Sequence, residues 1–139
     1  MPDPIPPSNS AMAGAASALK AQQSRMRVIA ENLANAQSTA RTPGGEPYRR
    51  QIPVFQAREV DGATGVTLAE VRPDQGDFKM DYDPSHPAAN AEGYVMRPNV
   101  DTLVEAMDMR EAQRAYEANL NVIETARSMD SRTLDIIKR

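Results

Sequence analysis

The stretch that decides the fold is Ala112-Gln-Arg-Ala-Tyr-Glu-Ala-Asn-Leu-Asn-Val-Ile-Glu-Thr-Ala-Arg-Ser-Met-Asp-Ser-Arg-Thr-Leu-Asp-Ile136. Ala112, Ala115, Asn119, Val122, Ala126, Met129, Thr133 and Ile136 step by alternating three and four, the period of a helical seam. Tyr116, Leu120, Ile123, Leu134 and Ile137 widen that stripe on one flank. No Pro or Gly occurs from Val100 to Arg139. Pro98-Asn99 reads as a start signal, with Asn99 as N-cap and Asp101 in the first turn, where an acid suits the helix dipole. The predicted helix, residues 100–139, runs on the order of 55 Å at 1.5 Å per residue. That is more than a globule of 139 residues needs.

A second seam lies near the other end. Between residues 10 and 36 there is no Pro, and Met12, Leu19, Met26 and Leu33 recur every seven positions, with Ala15, Gln22, Ile29 and Ala36 between them. Ser10 is the expected N-cap of a helix of about 40 Å. Residues 1–9 are Pro-rich and expected to be flexible. The middle segment, 37–99, holds most of the Pro and Gly. It carries three alternating, strand-like runs: Arg50 to Gln56, Gly65 to Val71, and Asp77 to Tyr82. In the last run Phe78, Met80 and Tyr82 share one face, and Asp77, Lys79 and Asp81 the other. Pro53 confines the first run to an edge or bulge, and Gly93 to Pro98 adds a short segment before the long helix.

Composition narrows the function. There is no Cys, which excludes disulfides, thiolate metal sites and Cys nucleophiles, and a single His cannot build a two-histidine zinc site. A net charge of -3 and a pI near 5.2 argue against a general nucleic-acid binder. Nothing reads as a secretory signal or a membrane span. Hydrophobic residues make up 40% of the chain, but 21 of them are Ala. Val 9, Ile 6, Leu 6 and Phe 2 are few for a closed core. Ala at seam positions permits close approach but buries little area, so a hairpin of these two helices is marginal alone. The stripe is wider than a two-stranded seam requires. Two readings stay open: an intramolecular hairpin or dimeric coiled coil, and a repeating assembly of helix pairs.

Other chemistry is weaker. Asp74, Asp77, Asp81, Asp83 and Glu92 form an acidic run, but an EF-hand loop counted from Asp77 has Lys79 at position three, Tyr82 at six and Ala88 at twelve, and fails. His86 lies in a turn between Ser85 and Pro87, with no poised nucleophile. The basic pairs Arg25/Arg27 and Arg49-Arg50 lack an aromatic platform, so pairing with acidic neighbours is their expected use. Asn119 within the seam either specifies register or tolerates partial exposure.

The motifs bear a resemblance as well. Asn32-Leu-Ala-Asn-Ala36 is similar to the N-terminal signature of bacterial flagellar rod and hook proteins. The likeness extends through Arg27 to Asn35, Thr42-Pro-Gly-Gly-Glu-Pro-Tyr-Arg-Arg50, Tyr82-Asp-Pro-Ser-His-Pro87, Gly93 to Val100 and Arg114-Ala-Tyr-Glu-Ala-Asn119, in order. Its length resembles the proximal rod members, because distal rod and hook proteins carry larger insertions between the same helices. The Pro-rich start departs from the family's short apolar opening. The resemblance implies a structural subunit of the basal-body rod, in the periplasmic space, exported by the flagellar type III apparatus without signal cleavage. It implies partners among other rod subunits, copies of the same chain and the adapter to the inner-membrane ring, with no enzymatic activity, cofactor, metal, nucleic acid or membrane insertion.

The expected fold is therefore mainly α with a small β segment. Long N- and C-terminal helices (10–36 and 100–139) pack as one coiled-coil core, with a short irregular β-rich insertion (37–99) between them. The expected assembly interface is Leu19, Met26, Ile29, Leu33, Asn35, Tyr116, Asn119, Val122, Ile123, Met129 and Ile136. The competing reading is a soluble coiled-coil adaptor forming a closed oligomer; a small metal-dependent hydrolase is disfavoured by its ligand count.

Overall fold

A computed structural model describes residues 7–138. Two long helices enclose four strands in the chain: α1 Pro7–Ala34, β1 Gln51–Val60, β2 Ala63–Pro73, β3 Lys79–Tyr82, β4 Tyr94–Arg97 and α2 Thr102–Ile137. The mainly helical class with a small β region between the helices is as expected. Residues 1–6 of the anticipated flexible start lie outside the described residues.

Both helix starts differ from expectation. α1 is already helical at Pro7, whose fixed φ suits a first turn. Ser10 is thus inside the helix, and its Oγ donates to the Asp61 carbonyl (3.3 Å) instead of capping. At α2 the cap is Asp101, whose Oδ1 accepts from the amides of Leu103 (3.0 Å) and Val104 (3.4 Å). Asn99 is engaged elsewhere: its Oδ1 accepts from Arg50 N and its Nδ2 donates to the Asp74 and Gly76 carbonyls. A side chain committed to three distant backbone groups cannot also cap the helix.

The chain forms two compact units. The first comprises residues 1–26, 54–70 and 111–139. β1 and β2 are hydrogen-bonded neighbours joined by Asp61-Gly62. Both turn residues have positive φ (47° and 78°), as a two-residue turn matched to strand twist requires. Ser17 binds this ribbon twice: its Oγ accepts from Val66 N (2.8 Å) and donates to Val66 O (2.6 Å). Gly65 is buried here, and a Cβ on it would stand 2.7 Å from that Oγ. Arg25 on α1 pairs with Glu111 on α2 at 3.4 Å. Among the described residues, the buried apolar side chains of this unit are all alanines: Ala15, Ala21, Ala112 and Ala126.

The second unit comprises residues 27–53 and 71–110. Its buried apolar set is Val28, Ile29, Ala36, Ala88, Val95 and Val100. β3 and β4 pair antiparallel with Lys79 opposite Arg97, Met80 opposite Met96, Asp81 opposite Val95 and Tyr82 opposite Tyr94. Residues opposite one another point to the same side, and alternate residues share a face. Met80, Tyr82, Tyr94 and Met96 therefore make one face; Lys79, Asp81, Val95 and Arg97 make the other. Val95 is fully buried whereas Met80, Tyr82 and Tyr94 are exposed. All of β3 is thus exposed, on both faces, and only Val95 of β4 is fully buried, with Arg97 and Asp81 paired at 3.3 Å.

Candidate functional site

The second unit is organised around two buried polar side chains, Asn32 and Glu105, each 1% exposed. Asn32 falls in the last turns of α1, on the side that faces the start of β1. Its Oδ1 accepts from Gln51 N (2.9 Å) and from the Tyr48 hydroxyl (2.6 Å), and its Nδ2 donates to Gln51 O (2.9 Å). The amide thereby takes the place of a neighbouring strand's peptide group, satisfying the donor and acceptor of the first β1 residue. Burial, and then the charges of Glu31 and Glu105, push the Tyr48 phenol above its ordinary pKa, so the hydroxyl stays a donor.

One residue before Gln51, Arg50 ties three segments together. Its Nε donates to Glu105 Oε1, its Nη1 to Asp74 Oδ2 (3.2 Å), and its backbone N to Asn99 Oδ1 (2.8 Å). Burial alone would lower the guanidinium pKa, but Glu105 and then Asp74 outweigh it and raise the value. Asp74 sits in the loop after β2, where the Gly76 N–H bonds its Oδ1 (2.8 Å). That bond first, and then Arg50 and Arg49, hold its carboxyl below the ordinary carboxylate pKa. Arg49 donates to the Asp74 and Gly76 carbonyls, with its guanidinium 4.1 Å from the Phe78 ring centroid, a cation–π distance. Glu105 Oε2 is buried without a hydrogen-bond partner.

This arrangement is a joint: it fixes the end of α1, the start of β1 and the first turn of α2 at one point. Of the other acidic and histidine candidates, Asp81, Asp83 and His86 are engaged locally, Asp81 by Arg97. Asp83 accepts from Ser85 Oγ (2.9 Å), and His86 Nδ1 accepts from Ala88 N (2.9 Å) in a turn.

The residues expected to form an assembly interface distribute unevenly. Ile29 is buried in the second unit, where Leu33 and Asn35 are half-buried; Asn35 Nδ2 bonds the Glu31 carbonyl. In the first unit Leu19, Met26, Tyr116, Asn119 and Ile123 are half-buried, and Asn119 Nδ2 bonds its own helix at Ala115 O (2.8 Å). Val122, Met129 and Ile136 are exposed, the last two at 61% and 74%. Sequence reasoning missed Asn32 and Glu105 as individual residues. The available signal was a pair of arginines entering a strand, with Asn99 and Glu105 bracketing a helix start.

The fold positions two segments that match known protein families. Residues 12–41 match the family model described as flagella basal body rod protein, and residues 91–136 the one described as flagellar basal body rod FlgEFG protein C-terminal. The flagellar basal-body rod protein FlgC of Agrobacterium fabrum (strain C58) is 46% identical over 127 residues, spanning 89% of this chain and 91% of the relative. FlgC of Escherichia coli O6:H1 is 44% identical over 124 residues (88% and 92%). FlgC of Bacillus subtilis (strain 168) is 39% identical over 140 residues (88% and 93%).

Proposed function

The chain belongs to the FlgC family of flagellar basal-body rod proteins, and from that premise we propose how it builds the rod. It is a structural subunit of the bacterial flagellar basal-body rod, and it assembles with other rod components. The 10–36 and 100–139 segments act as one coiled-coil domain that is completed by neighbouring subunits. Leu19, Met26, Ile29, Leu33, Asn35, Tyr116, Asn119, Val122, Ile123, Met129 and Ile136 supply that interface. The observation that carries this reading is the α2 stripe: Val122, Met129 and Ile136 lie at seam spacing and are exposed in the single chain. Exposed apolar side chains in a regular stripe fit burial against a neighbour.

The partners in this scheme are copies of the chain, other rod subunits and the adapter to the inner-membrane ring. The chain works in the periplasmic space after export, unfolded, through the flagellar type III apparatus. Its role is wholly structural. A seam of alanines contributes little burial until neighbours are added, which suits passage through a narrow channel and ordering on assembly. Two measurements test this. The tagged chain is expected in purified rods; its absence there overturns the subunit reading. Circular dichroism is expected to show weak helicity at low concentration that rises on association. A strongly helical monomer or closed oligomer that melts cooperatively overturns assembly-coupled folding and favours a soluble adaptor.

A further inference from the structure

The turn that joins β1 to β2 carries a reactive dipeptide. Asp61-Gly62 is the one place in the chain where Gly follows Asp, and no Gly follows Asn. Glycine leaves its main-chain nitrogen unhindered toward the carboxyl of the preceding aspartate. Gly62 N can therefore attack Asp61 Cγ; its proton and the carboxyl hydroxyl leave as water, and a cyclic succinimide closes. Water then opens either C–N bond of the ring. Opening at Cγ restores aspartate. Opening at the main-chain carbonyl leaves Gly62 joined through the side chain, an isoaspartyl residue of unchanged mass. Water is the only co-reactant in this sequence.

The folded turn opposes the first step. Asp61 has φ 47° and Gly62 φ 78°, the signs of the hairpin turn whose first central residue has a ψ of about +30°. In an L-residue that ψ sets Cβ almost opposite the following nitrogen across the Cα–C bond, whereas ring closure needs the two eclipsed. The turn must therefore open before Gly62 N reaches Cγ. Although both residues are exposed, the turn is anchored on α1. Ser10 Oγ donates to Asp61 O (3.3 Å), the carbonyl that the ψ rotation would move. Ser17 Oγ holds Val66 by its N–H (2.8 Å) and its carbonyl (2.6 Å). Gly14 lies between them, so close to β2 that a Cβ on it would stand 3.8 Å from Thr64 O. We propose that Asp61-Gly62 is a site of spontaneous isoaspartate formation, and that seating of the β1–β2 ribbon on α1 suppresses it. The modification accumulates while the chain is unfolded and slows when the ribbon docks. It also perpetuates itself: an isoaspartyl residue adds a methylene to the main chain, so a marked chain cannot re-form the two-residue turn that protects it. Export as an unfolded chain, proposed above, takes every copy through the susceptible state, but the inference does not depend on it.

The test holds the full chain in buffer, at a concentration where circular dichroism shows it helical, and in parallel in concentrated urea. Isoaspartate at residue 61 is followed by isoaspartyl methyltransferase labelling with peptide mapping. The expected rate in buffer is lower by at least about tenfold, the factor that about 1.4 kcal/mol of local stability gives when reaction passes only through the opened turn. Equal rates in the two media, or no isoaspartate at residue 61 in urea, overturn the proposal. Ser10→Ala and Ser17→Ala test the anchor. Each is expected to raise the rate in buffer severalfold and to leave the rate in urea unchanged. Parent-like rates in buffer for both variants, or a rise in urea as well, overturn the suppression by α1. None of these outcomes touches the subunit reading, which fails only if the unaltered chain is missing from rods.

Discussion

Replacing Arg50 by Met isolates the buried charge at the joint. Glu105 is 1% exposed, its Oε1 is bonded by Arg50 Nε, and its Oε2 has no partner. Without the guanidinium the carboxylate keeps no counter-charge and cannot reach water. Stranding one member of a buried ion pair costs about 3–5 kcal/mol. The reverse deletion, Glu105→Leu, is milder: the Arg50 side chain is 25% exposed and retains Asp74, so it is expected to cost about 1–2 kcal/mol. Removing both ends in Arg50→Met/Glu105→Leu recovers most of the loss, since an apolar substitute for a buried pair is often neutral. With the double variant near neutral, the coupling read from the double-mutant cycle is therefore about 4–7 kcal/mol. Folded domains are stable by about 5–15 kcal/mol, so a shift of this size in the urea midpoint of the second unit is readily measured. Three of the four tyrosines, Tyr48, Tyr82 and Tyr94, lie in the second unit, and there is no Trp. Tyrosine emission during urea titration at pH 7 thus reports this unit. An Arg50→Met cost below about 1 kcal/mol, or a Glu105→Leu cost larger than it, refutes the reasoning from stranded charge.

Asn32→Leu unpairs Gln51 N, Gln51 O and the Tyr48 hydroxyl together, and is expected to lower stability by at least about 2 kcal/mol in the same titration. Asp101→Ala removes the α2 cap and is expected to cost about 1 kcal/mol, with hydrogen exchange faster at Leu103 and Val104 and unchanged near Ala126. The folded-state carboxyl of Asp74 lies below its ordinary value of 3.8, so its contribution is complete above that pH and is lost as pH falls through the lowered value. Stability measured from pH 5 downward should therefore fall less steeply in Asp74→Asn than in the parent, and parallel curves would contradict the assignment.

The helices were legible because they rest on local periodicity: Met12 to Leu33 and Ala112 to Ile136 repeat at a spacing only a helix satisfies. The short runs were legible as strands, but the sense of their faces was not. Alternation in Asp77 to Tyr82 shows that Met80 and Tyr82 share a side; it does not show that both sides of β3 stay exposed while Val95 of the paired β4 is buried. The Asp61-Gly62 turn is legible in the dipeptide itself, which suits its two left-handed positions. The joint was hidden for another reason. Asn32, Arg50, Asn99 and Glu105 meet across more than seventy residues, and each alone looks like a surface residue or a helix cap. Asn99 illustrates this: Pro98-Asn99 has the form of a cap signal, yet its side chain is drawn away to Arg50.

The alanine interior of the first unit has a thermal consequence. Heat-capacity change on unfolding scales with the apolar surface newly exposed to water, and Ala15, Ala21, Ala112 and Ala126 expose little. The stability of this unit should accordingly vary weakly with temperature, giving a broad, flat curve in place of a sharp dome. Under the proposed assembly, in which Val122, Met129 and Ile136 are covered by a neighbour, the larger heat-capacity change is expected in subunit association. On that reading, calorimetry of rod formation is expected to show a larger hydrophobic signature than calorimetry of the free chain.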